Sequence, residues 1–254
     1  ADAEQRLSEL RADAQIRAGS TMRVQLDRSV HLVLEAYQRD APVGIPWCIS
    51  EIEEVTDTRM EPGDLVGLLG ASGDAKTSLV LQQVRFAAEQ GTPALFLSGE
   101  QSVQQCIRQM HCQRLGLIAK FLRDGRISTD DYARVRADAD AIAELPLSVE
   151  TWSDMTVGQL SSIVRSFSRR YGPGLIVIDH AKKLVPDHRN DIFAQQVFQI
   201  YEGLKALASS TENAILLIMQ RSSEFLKRRR MRPVRGDCFG GEGTLQNLDG
   251  CIGI

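Results

Sequence analysis

Gly70-Ala71-Ser72-Gly73-Asp74-Ala75-Lys76-Thr77 stands between an apolar run (65–69) and an amphipathic stretch that opens at Ser78. This is nearly the G-x-x-x-x-G-K-[ST] pattern in its strand–loop–helix setting. Small residues let successive backbone N–H groups turn inward around phosphates, and the helix N-terminus adds partial positive charge. Lys76 would neutralise β/γ oxygens and Thr77 would ligate Mg²⁺, with Gly70, Ser72, Gly73, Asp74, Ala75 and Ser78 completing the nucleotide-binding set. The departure is Ala75, which occupies the place of the second glycine. Its Cβ disfavours positive φ. A backbone already helical there tolerates alanine; any other backbone lowers nucleotide affinity.

Three further apolar runs end in residues of the same chemistry. The run 174–179 closes on Asp179, placed to hold a hydrated Mg²⁺. The run 94–98 leads through Gly99 to Glu100, a candidate general base for water attack. The run 214–219 ends in Gln220, an amide able to sense a γ-phosphate by hydrogen bonding. Singly, Asp179 also reads as a turn former, Glu100 as a surface acid and Gln220 as a turn cap. Beside a phosphate loop about 100 residues upstream of Asp179, they form a constellation.

Runs at 65–69, 94–97, 147–149, 175–178 and 214–219 have strand length and are wholly or largely apolar. They alternate with helical patterns at 77–90, 102–115, 128–144, 157–171 and 192–209. That alternation predicts an α/β domain, a mainly parallel sheet with helices on both faces. Ser128…Asp131 and Thr156…Gln159 read as capping boxes. Residues 1–39 read as helix broken at Gly19-Ser20, an amphipathic arm with no core of its own, and 40–46 as a Pro/Gly linker. The division is therefore 1–43, arm and linker, and 44–254, the α/β domain.

The composition is that of a globular chain: 43% hydrophobic, 25% charged, net −3. It excludes extensive disorder. Five cysteines without a CxxC pair exclude a disulfide scaffold and a structural zinc site and point to a cytoplasmic chain. No apolar run reaches the ~18 residues of a membrane span. The chain opens on Ala rather than Met, as a fragment of a longer protein would. The net charge hides an asymmetry: residues 221–235 carry seven basic side chains against Glu224, a net +6, leaving −9 on the other 239. Such a segment is either a solvated loop or a phosphate-backbone contact, and with Phe225 its only aromatic it favours backbone contact over base stacking.

In order and spacing these elements resemble the RecA-like motor domain of the hexameric replicative DNA helicases, the DnaB family and related bacteriophage primase–helicases. The pieces are Met60-Glu61-Pro62-Gly63-Asp64-Leu65, the phosphate loop, 96–102, 175–180, 203–208, Arg232-Pro233-Val234-Arg235-Gly236-Asp237, 240–243 and Asp249. The Asp179-His180 pair is closer to the bacteriophage branch. The resemblance covers residues 44–254, about four-fifths of the chain. It implies a RecA-like P-loop fold preceded by a linker helix, ATP or another NTP with Mg²⁺ at subunit interfaces of a six-membered ring, and an ATP-driven motor on single-stranded DNA. It also implies primase or other replisome proteins as partners. Lys76, Glu100 and Gln220 would be catalytic, Thr77 and Asp179 would serve the metal. DNA-binding loops would hold Lys182, Lys183 and Arg189, and then Lys227, Arg228, Arg229, Arg230, Arg232 and Arg235. The family's arginine finger lies beyond the strand containing Cys251 and Ile252, past Ile254, which implies either a truncated chain or an absent finger with in-trans hydrolysis crippled. Ala75 and the finger motivate the alternatives, a non-hydrolysing DNA-binding subunit or a recombination or packaging ATPase.

Overall fold

The computed structural model describes residues 22–38, 43–56, 59–186, 193–222, 232–238 and 242–254. It separates into two units, 1–43 and 44–254. In the first, the described part is one helix, α1 (Met22–Gln38), with Leu26, Val30, Val33 and Tyr37 exposed at helical spacing. The stretches 1–21 and 39–42 lie outside the described residues.

The second unit runs α2 (Ser50–Thr56), β1 (Leu65–Gly70), α3 (Lys76–Glu89), β2 (Ala94–Ser98), α4 (Val103–Leu115), α5 (Ala119–Arg123) and α6 (Thr129–Ala143). It continues with β3 (Leu147–Thr151), β4 (Met155–Thr156), α7 (Val157–Tyr171), β5 (Leu175–Asp179), a 3₁₀ turn (Ala181–Lys183), β6 (Leu184–Val185), α8 (Phe193–Thr211) and β7 (Ala214–Gln220). Two 3₁₀ segments, Arg235–Asp237 and Glu242–Asn247, precede β8 (Gly250–Gly253). Six strands form one parallel sheet in the order β3-β2-β5-β7-β1-β8, and β4 pairs with β6 apart from it.

Strands β1, β2 and β5 are buried at every residue, and β7 is buried up to its terminal Gln220. They need apolar side chains on both faces, which is why they read as unbroken runs. One face packs on α7 and α8 through Leu65, Ile176, Leu217, Leu160 and Leu204. The other packs on α3 and α4 through Leu68, Phe96, Val177, Val80 and Met110. Edge strands β3 and β8 are only partly buried.

The Thr156 capping box forms in full, each partner satisfying the other's backbone N–H. At Ser128 half of the predicted box forms. The hydroxyl accepts from the Asp131 N–H, but the Asp131 carboxylate accepts from that same hydroxyl at 2.9 Å rather than from the Ser128 N–H. Aspartate is one methylene shorter than the glutamate or glutamine that spans this gap. A box that the sequence reading passed over, Ser102 with Gln105, starts α4. Among the family-like pieces, Asp249 and Lys205 are structural. Asp249 Oδ2 accepts from the Leu65 N–H at 2.7 Å and from Lys205 Nζ at 2.6 Å, pinning the entry to β1.

Candidate nucleotide site

All six strands of the main sheet are parallel, so their C-terminal ends share one edge. The four central strands, in the order β2-β5-β7-β1, place Glu100, Asp179, Gln220 and Gly70 along it. The register is tight: Ser98 pairs with Asp179 and Gly70 with Gln220. Crevices at such edges are where open α/β sheets bind ligands. Here a cleft of about 400 Å³ is lined by Ser72, Gly73, Ala75, Lys76, Thr77, Ser78, Glu100, Asp179 and Gln220, all predicted, with Gln101, Gln109 and His180 in addition.

The phosphate loop is braced from within. Asp74 Oδ2 accepts from the Ala71 N–H at 2.5 Å, and Lys76 Nζ donates to the Ala71 carbonyl at 2.5 Å. Gly70 sits in close quarters: a Cβ there would fall 3.0 Å from Ile254 Cγ1 and 3.1 Å from Cγ and Cδ of Lys76, so the lysine stem would have to give by a few tenths of an ångström. Burial pulls the Lys76 pKa below its usual value, and the carboxylates of Asp74, Asp179 and Glu100 draw it back up. Asp74 therefore shapes the loop with its carboxylate while setting a negative charge beside Lys76.

Ala75 resolves the question its sequence position raised. It is not helical. It takes φ 58°, ψ 23°, the left-handed conformation, as the residue before α3. An L-residue held there costs about 1–2 kcal/mol. Ala75→Gly should therefore raise stability by about 0.5–1 kcal/mol, once the extra freedom of an unfolded glycine is subtracted. Urea denaturation reads the stability. Titration with a fluorescent ATP analogue reads whether removing the Cβ also tightens the loop on nucleotide, as expected.

Thr77 Oγ1 donates to Asp179 Oδ2 at 2.8 Å, across 102 residues of sequence. Burial raises the Asp179 carboxyl above the usual carboxylate range, and the Thr77 hydroxyl lowers it again. A desolvated carboxylate beside a hydroxyl is a hard-oxygen pair suited to Mg²⁺. Among the described residues no three His, Cys, Asp or Glu side chains converge into a metal cage. The pair therefore suits an ion that keeps waters and arrives with phosphates. Ser78, predicted to face nucleotide, is engaged on the helix side: its hydroxyl accepts from Gln109 Nε2 at 2.6 Å and its carbonyl from Gln113 at 2.7 Å.

The predicted DNA residues divide. Lys182 is exposed, and Lys183 donates its ammonium to the Gly99 carbonyl. Arg232 and Arg235 are exposed, Arg235 lining a separate cavity of about 570 Å³ against β8. Arg189, Lys227, Arg228, Arg229 and Arg230 lie outside the described residues. Arg221, counted in the basic segment, is buried in an ion pair with Asp237, Nη2 to Oδ2 2.9 Å, so its charge belongs to the fold.

The sequence model of the DnaB-like helicase C-terminal domain matches residues 44–243. The chain belongs to this family. It is 24% identical over 216 residues to the replicative DNA helicase DnaB of Geobacillus stearothermophilus, covering 84% of this chain and 47% of that protein. With the Rickettsia bellii DnaB it shares 25% over 197 residues, 73% of this chain and 40% of that one. It thus spans about half or less of the length of these curated relatives. Among solved structures, an isolated ATPase domain superposes with a TM-score of 0.83 at 18% identity, covering 89% of this chain and 81% of that one. A DnaB-like replicative helicase, solved in a study of its interactions with primase, superposes at 0.80 and 19% identity, over 98% and 61%. These superpositions show that the DnaB-type chain is RecA-like in fold, a mostly parallel sheet flanked by helices. No described helix is long and apolar enough to cross a membrane.

Proposed function

We propose that this DnaB-family domain is the ATP-driven motor of a ring that translocates on single-stranded DNA and separates duplex strands. The observation that carries the reading is the convergence of Lys76, Thr77, Asp179, Gln220 and Glu100 on one cleft from four adjacent parallel strand ends. Lys76 and the loop N–H groups would hold the β/γ-phosphates, and Thr77 with Asp179 would hold Mg²⁺, which supplies charge neutralisation. Glu100 would take the proton of the attacking water, and Gln220 would report the γ-phosphate to β7 and the basic stretch after it. Lys182, Arg189, Lys227, Arg228, Arg229, Arg230, Arg232 and Arg235 would track the DNA backbone. Copies of the chain would assemble as a hexamer in the cytoplasm, with α1 docking on a neighbour through its exposed apolar stripe. Primase or another replisome protein is the proposed partner, supported by the relative solved in the primase study.

The test is ATP hydrolysis with and without single-stranded DNA, with mass followed by light scattering. DNA-stimulated turnover by an assembly larger than a monomer is the expected result, with DNA affinity falling steeply with salt. Salt-sensitive DNA binding without turnover would leave a non-hydrolysing DNA-binding subunit instead. A monomer indifferent to nucleotide and salt would overturn both.

A further inference from the structure

The last residue of β5 and the segment that follows it close on the turn carrying Glu100 at three points. The Gly99 N–H donates to the Asp179 carbonyl, Lys183 Nζ donates to the Gly99 carbonyl, and His180 Nε2 lies 3.0 Å from Glu100 Oε1. The turn is also packed from outside. A Cβ at Gly99 would fall 2.9 Å from the Asp179 carbonyl oxygen, 3.2 Å from Lys183 Cδ and 3.3 Å from Trp152 Cε2, so only glycine lets these three groups close around it. Trp152 itself is tied to β2, its backbone N–H donating to the Ser98 carbonyl at 3.0 Å.

The Glu100 side chain is 53% exposed and the His180 side chain 12%. A half-exposed glutamate samples several rotamers, whereas a general base must keep one oxygen within hydrogen-bond reach of the water it activates. His180 Nδ1 is buried without a hydrogen-bond partner among the described residues, so the ring's polar engagement runs through Nε2. The ring therefore meets the Glu100 carboxylate through Nε2, at ion-pair distance. The contact holds Glu100 Oε1 against the imidazole at the rim of the cleft that Glu100 lines. Lys183 does the complementary work on the backbone, holding the carbonyl of the residue before Glu100.

We infer that His180 and Lys183 are positioning residues for Glu100, and that Lys183 acts on the Gly99 carbonyl rather than on a DNA phosphate. The inference rests on the reading of Glu100 as the base. Geometric errors near 1 Å cost catalysis heavily. His180→Ala should lower kcat for ATP about 10-fold or more, with KM within about 2-fold, and His180→Gln, which keeps a donor, should recover most of the loss. Lys183→Met, which keeps the stem and loses the donor, should lower DNA-free kcat about 3–10-fold. Hydrogen exchange of the 99–101 amides should accelerate in both His180→Ala and Lys183→Met. Exchange does not depend on turnover: a chain that hydrolyses no ATP fails the motor reading, and exchange still decides the clamp. Unchanged exchange, or a Gln variant no better than the Ala variant, would overturn the role of His180. Loss of DNA affinity in Lys183→Met with DNA-free kcat and exchange intact would make Lys183 a phosphate contact and overturn its part.

Discussion

Lys76→Ala should reduce ATP turnover by about 10²–10³-fold, the loss expected when one preorganised charge donor is removed from a transition-state site. Lys76 starts α3, its stem passes over Gly70, and its ammonium rests on the Ala71 carbonyl, inside the loop where phosphates would sit. Three carboxylates surround it, Asp74, Asp179 and Glu100. In their company Lys76 is the cation that makes the cleft hospitable to an anion. Without it the loop presents Asp74 to a triphosphate with only the helix dipole and the more distant Lys182 to oppose it. Affinity for ATP should fall along with turnover, measured by titration of the variant with a fluorescent analogue. Circular dichroism and urea midpoint should stay close to those of the parent, because the ammonium's short contact is with a loop carbonyl that water can satisfy. Full ATP affinity in the Lys76 variant would show that the cleft is not the phosphate site.

The central strands, and the residues that end them, were legible because each signal is local. A strand buried on both faces must be apolar throughout, and its functional side chain must follow immediately, as Asp179 follows Ile178 and Gln220 follows Met219. The edge strand β8 escaped the periodicity because Gly250-Cys251-Ile252-Gly253 is half glycine and only partly buried; family likeness alone pointed to it. Short α2 and α5 lack the length for a helical repeat to register. At Ala75 the residue pattern posed the right question, and only the backbone angle answers it. The contacts least legible were those made over distance. His180 and Lys183 reach the Glu100 turn across 80 or more residues, Gln109 reaches Ser78 across 31, and Arg221 reaches Asp237 across 16. Nothing in a residue's own neighbourhood distinguishes an arginine that meets phosphate from one that meets an aspartate. Asp237 had carried a signal, as the acid closing the family-like Arg232–Asp237 piece, but its partner could not be named from spacing.

That partnership leads to the largest stability effect expected in the molecule. Both side chains are 4% exposed. Asp237 Oδ2 accepts from Arg221 Nη2 at 2.9 Å, from Arg221 Nε at 3.2 Å and from the Val234 N–H at 3.1 Å. The backbones join as well: the Ser222 N–H donates to the Asp237 carbonyl at 2.8 Å, and the Arg221 N–H to the Gly70 carbonyl at 3.1 Å. The pair therefore fastens the two ends of the basic stretch to the strand end from which the phosphate loop departs. Asp237→Ala takes the balancing carboxylate from a buried guanidinium and should destabilise the chain by about 3–5 kcal/mol, read as a lowered urea midpoint. Removing both charges is a different matter, because the desolvation cost of the arginine disappears with it. Arg221→Met combined with Asp237→Leu should recover most of that loss, since a well-packed apolar pair often matches a buried ion pair. The same double variant should still weaken single-stranded DNA binding if the clasp orders the basic stretch, because holding loop ends together removes entropy that binding would otherwise have to remove. Recovery of stability without recovery of DNA affinity would separate the clasp's role in the fold from its role in presenting charge.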